Sequence, residues 1–358
     1  MKQSREHLFQ DRIEKEFDRA TESTDTIGRQ QTLTKSSTYR ISDSGLKANQ
    51  TQVLILGRMS TGSTAISNLF SLRDEVFYVG EPGHLLFKSV YYKHVHIDSA
   101  DYLQEMQAGL CEFLRDLYNC EFKSHDDFLE ALNSRSLYRS RGSLRNLNYP
   151  ITQAALGSFC QSKPYVVSKV LRLSDLNMCL PMLKDNKVKV IFLARDPRGT
   201  ITSRLHRWGD ILGRLDDPAN ANYYPTKDVV KEHCNWLDMV FNFLKNSSDW
   251  LIDNSMLIRF EDKCINPGVI NQAVYKFVGM SAPPSRPASF KANNESATKW
   301  LNTYSYDRIK TIQDYCSGHI YKNYRWLLIN DEKEFERAKT SWYRPTPQDE
   351  ITLKYKIP

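Results

Sequence analysis

An α/β architecture, a central parallel sheet with helices on both faces, is predicted by three observations. Short apolar, β-rich runs alternate with segments of helical spacing through the middle of the chain. Some of those runs are almost unbroken, as expected of strands buried on both faces. The first of them, Val53-Leu54-Ile55-Leu56, leads through a glycine-and-hydroxyl turn into helical spacing at Ile66, Leu69 and Phe70. A strand, a tight polar loop and a helix N-terminus are together the parts of an anion site. The N–H groups converge, the helix dipole adds positive charge, and a glycine lets the backbone approach the ligand.

In that loop Gly57 ends the strand, Gly62 is the approach point, Ser63 and Thr64 offer hydroxyls, and Arg58 lies close enough to add charge. The plainer alternative is an ordinary βα turn with a Ser/Thr cap. A nucleotide-triphosphate P-loop needs Gly-Lys-Ser/Thr after a four-residue spacer, and the chain lacks it. The loop therefore points to a phosphate- or sulfate-like anion and away from ATP held in the usual way.

Residues 1–50 are polar and charged, with Phe9, Phe17 and Tyr39 as their aromatics, and read as a tail or stem. After the first helix, Val76-Phe77-Tyr78-Val79 is a second strand, ending at Gly80-Glu81-Pro82-Gly83-His84. A carboxylate at the carboxyl end of a strand sits where open α/β sheets place their chemistry; a solvated turn carboxylate is the alternative. Residues 97–150 read as a largely helical insertion carrying Arg135, Arg139, Arg141 and Arg145. Residues 165–172 and 188–194 are two more strands, the second nearly all apolar and so central. It runs into Arg195-Asp196-Pro197-Arg198, where Pro197 suits the first helical turn and Asp196 its cap.

Arg195 at a strand end and Ser203 about two turns along the helix form a phosphate pair, because a guanidinium offers a planar fork. A capped helix with a surface Arg–Asp pair is the alternative. Val230, Cys234, Leu237, Phe241 and Leu244 step 4, 3, 4, 3 along a helix over 227–245, which is core packing. Residues 256–262 read as the last strand, followed by a helix from Pro267 with Val269, Ala273 and Phe277 on one face. A proline-rich loop over 281–287, a helix over 306–320 and a charged, peripheral C-terminal segment 331–358 complete the chain.

At 358 residues the chain can form one large α/β domain or two small ones. Its net charge of +7 suits an acidic ligand and does not by itself argue for nucleic acid. Seven cysteines (111, 120, 160, 179, 234, 264, 316) show no CxxC pair and no zinc spacing, which predicts a thiol-rich interior with at most one or two bridges. No run of 18 apolar residues occurs and no apolar core follows the first residues, so neither a membrane span nor a signal peptide is expected. Sequons stand at Asn49, Asn246 and Asn294.

Six elements in order now resemble the sulfotransferases that use 3′-phosphoadenosine-5′-phosphosulfate (PAPS), and most closely the Golgi carbohydrate 6-O-sulfotransferases. Thr61-Gly62-Ser63-Thr64 is similar to the family's 5′-phosphosulfate loop, Phe77-Tyr78-Val79-Gly80-Glu81-Pro82 to its Phe-Tyr-x-x-Glu-Pro element, and Arg195 to Arg198 with Ser203-Arg204 to its 3′-phosphate motif. The strand Ser168 to Leu173, Arg259-Phe260-Glu261-Asp262 and the segment Ala297 to Trp300 match further positions. Two departures stand out: Ser60 occupies the position of the family's Arg or Lys, and Gly80 and Gly83 replace aromatic neighbours of Glu-Pro.

The resemblance covers roughly 51–327. It implies a P-loop-like sulfotransferase fold with the catalytic domain over 51–330. It also implies sulfuryl transfer from PAPS, leaving adenosine 3′,5′-bisphosphate (PAP), to a carbohydrate hydroxyl, without a metal and in the Golgi lumen. Arg58, Ser60, Thr61, Gly62, Ser63 and Thr64 are then expected at the phosphosulfate, Arg195 and Ser203 at the 3′-phosphate, and Trp300 on the adenine. Glu81 is expected as base, with His84 as second choice. The alternatives are a nucleotide- or glycan-binding protein on the same fold without turnover, a P-loop kinase, and a cytoplasmic location.

Overall fold

The computed structural model describes residues 50–83, 100–133, 144, 147, 150–171, 173–212, 226–246, 249–283 and 294–341. Among the described residues five strands, β1 (Thr51–Leu56), β2 (Val76–Gly80), β3 (Tyr165–Val170), β4 (Lys189–Ala194) and β5 (Ser255–Arg259), form one sheet in the order β2-β3-β1-β4-β5. Every pairing is parallel. The apolar runs follow from that arrangement, because alternate side chains of each strand enter separate cores. Leu54, Leu56, Phe77, Val79, Val190 and Phe192 lie in one core, and Val53, Ile55, Val76, Tyr78, Ile191 and Leu193 in the other. Each fully buried side chain of this size contributes about 1.5–3 kcal/mol.

The second core is covered by α1 (Ser63–Ser71), through Ile66, Leu69 and Phe70, together with a helix from Pro267 to Val278. The first is covered by α2 (Ala100–Tyr118), α3 (Asp126–Asn133), α4 (Gln153–Gln161) and α5 (Leu180–Asp185). α6 (Pro197–Leu212) follows β4, and α7 (Thr226–Lys245) packs the expected stripe of Val230, Cys234, Leu237 and Leu244 into the same core. α8 (Asp249–Asp253) precedes β5.

Several expectations are corrected. β5 stops at Arg259, and Phe260–Ile265 is already a helix, α9. The helix from Pro267, α10, buries Ile270, Ala273, Val274 and Val278, so its core face is centred about one residue away from Val269 and Phe277. The helix expected over 306–320 is two, α12 (Tyr306–Asp314) and α13 (Gly318–Asn323), following α11 (Asn294–Thr303). The segment from 331 is not wholly peripheral: α14 (Glu332–Ser341) buries Phe335 and Ala338 in a third cluster with Phe260, Trp300 and Ile309. The 1–49 part of the expected tail and the four arginines of the insertion lie outside the described residues.

The cysteine expectation is also overturned. Three disulfides join Cys111 to Cys179, Cys120 to Cys160 and Cys234 to Cys316, and Cys264 is buried as a free thiol. Their partners are 68, 40 and 82 residues apart, so no local spacing reveals them. Each such cross-link stabilises by about 2–4 kcal/mol. A digest kept non-reducing should therefore yield these three linked peptide pairs by mass spectrometry, with Cys264 alkylated only after denaturation. Recovery of Cys234 and Cys316 as free thiols would contradict the arrangement.

Candidate active site

β1 lies at the point where the chain's two directions across the sheet diverge. The chain passes through α1 to β2 and β3 on one side, and then to β4 and β5 on the other. The crevice beyond the carboxyl ends of β1 and β4 is where such sheets bind ligands. The loop after β1 is tightly wound. Thr61 donates both its N–H, at 3.2 Å, and its hydroxyl, at 2.7 Å, to the Arg58 carbonyl. Ser60 (φ 66°) and Gly62 (φ 85°) are both left-handed. A Cβ at Gly62 would fall 2.2 Å from the Phe260 ring, so steric room as well as φ demands glycine. α1 then begins with no side-chain cap and no acidic residue in its first turn. The Ala65 N–H donates back to the Gly62 carbonyl at 3.0 Å, and the N–H groups of Ser63 and Thr64 ahead of it stand at the positive end of the helix dipole.

The loop after β4 is tied to this one. Arg195 Nη1 donates to the Ser60 carbonyl at 2.9 Å and Nη2 to the Ser296 carbonyl at 3.2 Å, while the guanidinium stacks 4.2 Å from the Phe260 ring centre. Phe260 thus supports both loops. Arg195 Nε is buried and has no acceptor among the described residues. Burial pulls this guanidinium below the ordinary arginine range, against the pull of Glu261, Cys264 and Asp196. A second tie comes from Arg204, whose Nε donates to the Met59 carbonyl at 3.2 Å.

Asp196 caps α6, accepting the Arg198 N–H at 2.9 Å. The neighbouring Arg–Asp pair is not on the surface. Arg198 and Asp196 are both fully buried and joined through Nε–Oδ1 (2.9 Å) and Nη2–Oδ2 (2.6 Å). Arg198 also donates to Gln313 Oε1 at 2.9 Å and the Leu327 carbonyl at 2.8 Å. Glu261 accepts the Asp196 N–H at 3.0 Å and Trp326 Nε1 at 3.2 Å. Burial, with Asp196 adding repulsion, raises its carboxyl to about 7.

Glu81 stands left-handed (φ 54°) immediately after β2, its N–H donating to the Lys169 carbonyl at 2.7 Å. Its Oε1 lies 2.8 Å from Lys169 Nζ, with the two side chains 10% and 4% exposed. β3 carries Lys169 between β2 and β1, so carboxylate, cation and the two loops lie at the same end of the sheet, on successive strands. Lys169 falls in the strand Ser168 to Leu173 that the resemblance covers, and its signal in the sequence is a charged residue inside the otherwise uncharged β3.

The remaining expected residues divide. Thr61, Gly62 and Ser63 build the loop and helix start, Thr64 is exposed there, and Ser60 contributes its carbonyl to Arg195. Arg58 donates to Ser174 Oγ at 3.2 Å and is ion-paired with Glu232 of α7. Ser203 is half-buried on α6 beside Arg204. Trp300 is 1% exposed, and the Arg198 guanidinium stands 4.4 Å from its ring centre. His84 lies outside the described residues.

Fold and site together bring two tightly wound loops side by side at the carboxyl ends of the adjacent parallel strands β1 and β4. The sulfotransferase-domain profile matches residues 50–354, and the chain belongs to the sulfotransferase family. It is 22% identical over 352 residues to carbohydrate sulfotransferase 1 of Danio rerio, covering 82% of each chain. It is 23% identical over 335 residues to carbohydrate sulfotransferase 6 of Homo sapiens, covering 78% of this chain and 82% of that one. Among solved structures, the sulfotransferase domain from the curacin biosynthetic pathway aligns with a TM-score of 0.47 at 15% identity, over 78% of this chain and 99% of that one.

Glu261 yields a pH prediction. Its folded carboxyl titrates at about 7, against an ordinary 4.5, so between those values the folded state holds the proton that the unfolded state has lost. Stability contributed at this position is therefore lost as pH rises through that window. Glu261→Gln should flatten the fall, so urea denaturation should show the variant gaining on the parent from the acid end of the window to the neutral end. An unchanged difference would mean that Glu261 is ionised throughout.

Proposed function

We propose that the chain transfers a sulfuryl group from PAPS to a carbohydrate hydroxyl, the 6-OH of an amino sugar or galactose. The observation that carries this reading is the pair of anion loops on β1 and β4, locked together by Arg195 and Ser60. The residues present fit the donor. The uncapped N-terminus of α1, with Gly62, Ser63 and Thr64, would receive the 5′-phosphosulfate. The buried Arg195, whose Nε still lacks an acceptor, and Ser203 on α6 would hold the 3′-phosphate, the group that distinguishes PAPS from ATP.

When bound, the donor supplies a sulfuryl group on a nucleotide-phosphate leaving group. The chain's own work is to offset charge at that end of the sheet and to take a proton. First-turn N–H groups and the Ser63 and Thr64 hydroxyls stabilise charge building on the bridging oxygen. Lys169 brings to the site the cation that position 60 lacks, and its contact with Glu81 fixes the carboxylate at the strand end. Glu81 accepts the proton of the acceptor hydroxyl. The acceptor class rests on the carbohydrate sulfotransferases among the relatives.

The catalytic unit is proposed to span 51–330, extended by α14. Three disulfides favour folding in an oxidising compartment over the cytoplasm, in keeping with the Golgi lumen. Among the described residues no helix is long and apolar enough to cross a membrane.

Transfer of label from ³⁵S-PAPS to a panel of glycans ending in N-acetylglucosamine, galactose or N-acetylgalactosamine tests the reading. Label is expected at a 6-OH, and Glu81→Gln should cut turnover by a factor of about 10²–10⁴ while PAP binding persists. A parent protein that binds PAP yet labels no acceptor would support a binding protein without turnover. Glu81→Gln with full turnover would remove Glu81 as base.

A further inference from the structure

One turn of α7 touches both anion loops. Glu232 is ion-paired with Arg58 of the β1 loop. His233, next in sequence and fully buried, places Nε2 at 3.3 Å from the main-chain carbonyl of Arg195, in the β4 loop. Cys234, next again, is bonded to Cys316, just beyond α12. Successive residues point about 100° apart around a helix, so three in a row can reach three different neighbours. Here those neighbours are the β1 loop, the β4 loop and the C-terminal helices.

The contacts close an arch over the 3′-phosphate motif. Arg195 is held from α7 through His233, and Arg198, three residues on, is held from α12 through Gln313 Oε1 at 2.9 Å. The Cys234–Cys316 disulfide joins the two supports. His233 suits its place chemically. A carbonyl can only accept, so Nε2 carries the hydrogen and Nδ1 is a bare acceptor, buried and without a partner among the described residues. Burial, then Arg204, Arg58 and Arg195, push the imidazole well below the ordinary histidine range, so it adds no competing charge among three arginines. Its ring stacks on Trp236, one turn along the helix, with centres 6.4 Å apart.

We propose that Glu232-His233-Cys234 is a positioning element of the donor site. It sets Arg58 and Arg195 relative to one another, and the Cys234–Cys316 disulfide anchors it. The proposal rests on the PAPS reading above, and it makes donor affinity depend on residues that touch no donor atom and on the oxidation state of one cysteine pair.

The test is calorimetric titration of PAP into the folded protein, with the donor KM, kcat and the melting temperature without PAP measured alongside. His233→Leu, which loses the hydrogen bond to the Arg195 carbonyl, should weaken PAP binding about five- to tenfold and raise the donor KM in step, leaving kcat at saturating donor nearly unchanged. His233→Gln keeps an N–H donor and should recover most of the affinity. Cys234→Ala/Cys316→Ala should weaken PAP in the same direction at a temperature where circular dichroism shows it folded. A His233→Leu variant that melts earlier but binds PAP like the parent would make the turn a structural support and overturn the proposal. An equal loss in His233→Leu and His233→Gln would also overturn it. A parent protein that binds no PAP would overturn the donor reading itself, and this proposal with it.

Discussion

The Arg195 guanidinium, buried between two loops, is the constraint on which the site depends. It crosses from the end of β4 to the Ser60 carbonyl in the loop after β1, reaches Ser296 on α11, and rests on the Phe260 ring. Phe260 also closes over Gly62, where any side chain would collide with it. A single contact network therefore fixes the separation of the two loops proposed to bind the donor, each built on a strand that the sheet already holds rigid. Burying a guanidinium costs several kcal/mol unless its donors are satisfied, and the carbonyls of Ser60 and Ser296 offset that cost.

Beneath this layer lies a second set of buried charges. Arg198 with Asp196 and Arg259 with Asp262 are paired in the interior, each arginine also bonded to main-chain carbonyls of the segment 324–327. Glu261 links the two through the Asp196 N–H and Trp326. Replacing such pairs by apolar groups often stabilises a fold, so their place here is better explained by direction than by strength. They bind the C-terminal segment to the ends of β4 and β5 and so hold the turn from β4 into α6, with Arg195 just before the helix and Ser203 within it. The cross-link from Cys234 to Cys316 runs parallel to these pairs.

Much of this was legible in the sequence. Strands buried on both faces leave almost unbroken apolar runs, which is why β1 and β4 could be read with little error. Gly62 marked the tight loop after β1 because few other residues tolerate that backbone. What could not be read depended on distant partners. Phe260 follows Arg259 at the end of β5 and reads as part of that strand, but it opens α9, with its ring against Gly62 and Arg195. Trp300 lies in the resemblance segment Ala297 to Trp300, and its packing with Phe260 and Ile309 beneath Arg198 emerges only in the folded chain. Lys169 reads as a strand lysine until Glu81 of the neighbouring strand is set beside it. The disulfides join cysteines with no local pattern, and the Glu232-His233-Cys234 turn acquires a role only once three separate elements converge on it.

The central claim is that two anion loops, held at a fixed separation by Arg195, recognise a nucleotide carrying both a 3′- and a 5′-phosphate. The most direct measurement is the affinity of the folded protein for PAP against 5′-AMP, in the parent chain, Arg195→Ala and Ser203→Ala. The account predicts a strong preference for PAP in the parent, with Arg195→Ala losing about ten- to a hundredfold of it, as expected for a charge-assisted contact. Ser203→Ala should lose a smaller share. Equal binding of PAP and 5′-AMP by the parent, or an undiminished preference in both variants, would contradict the account.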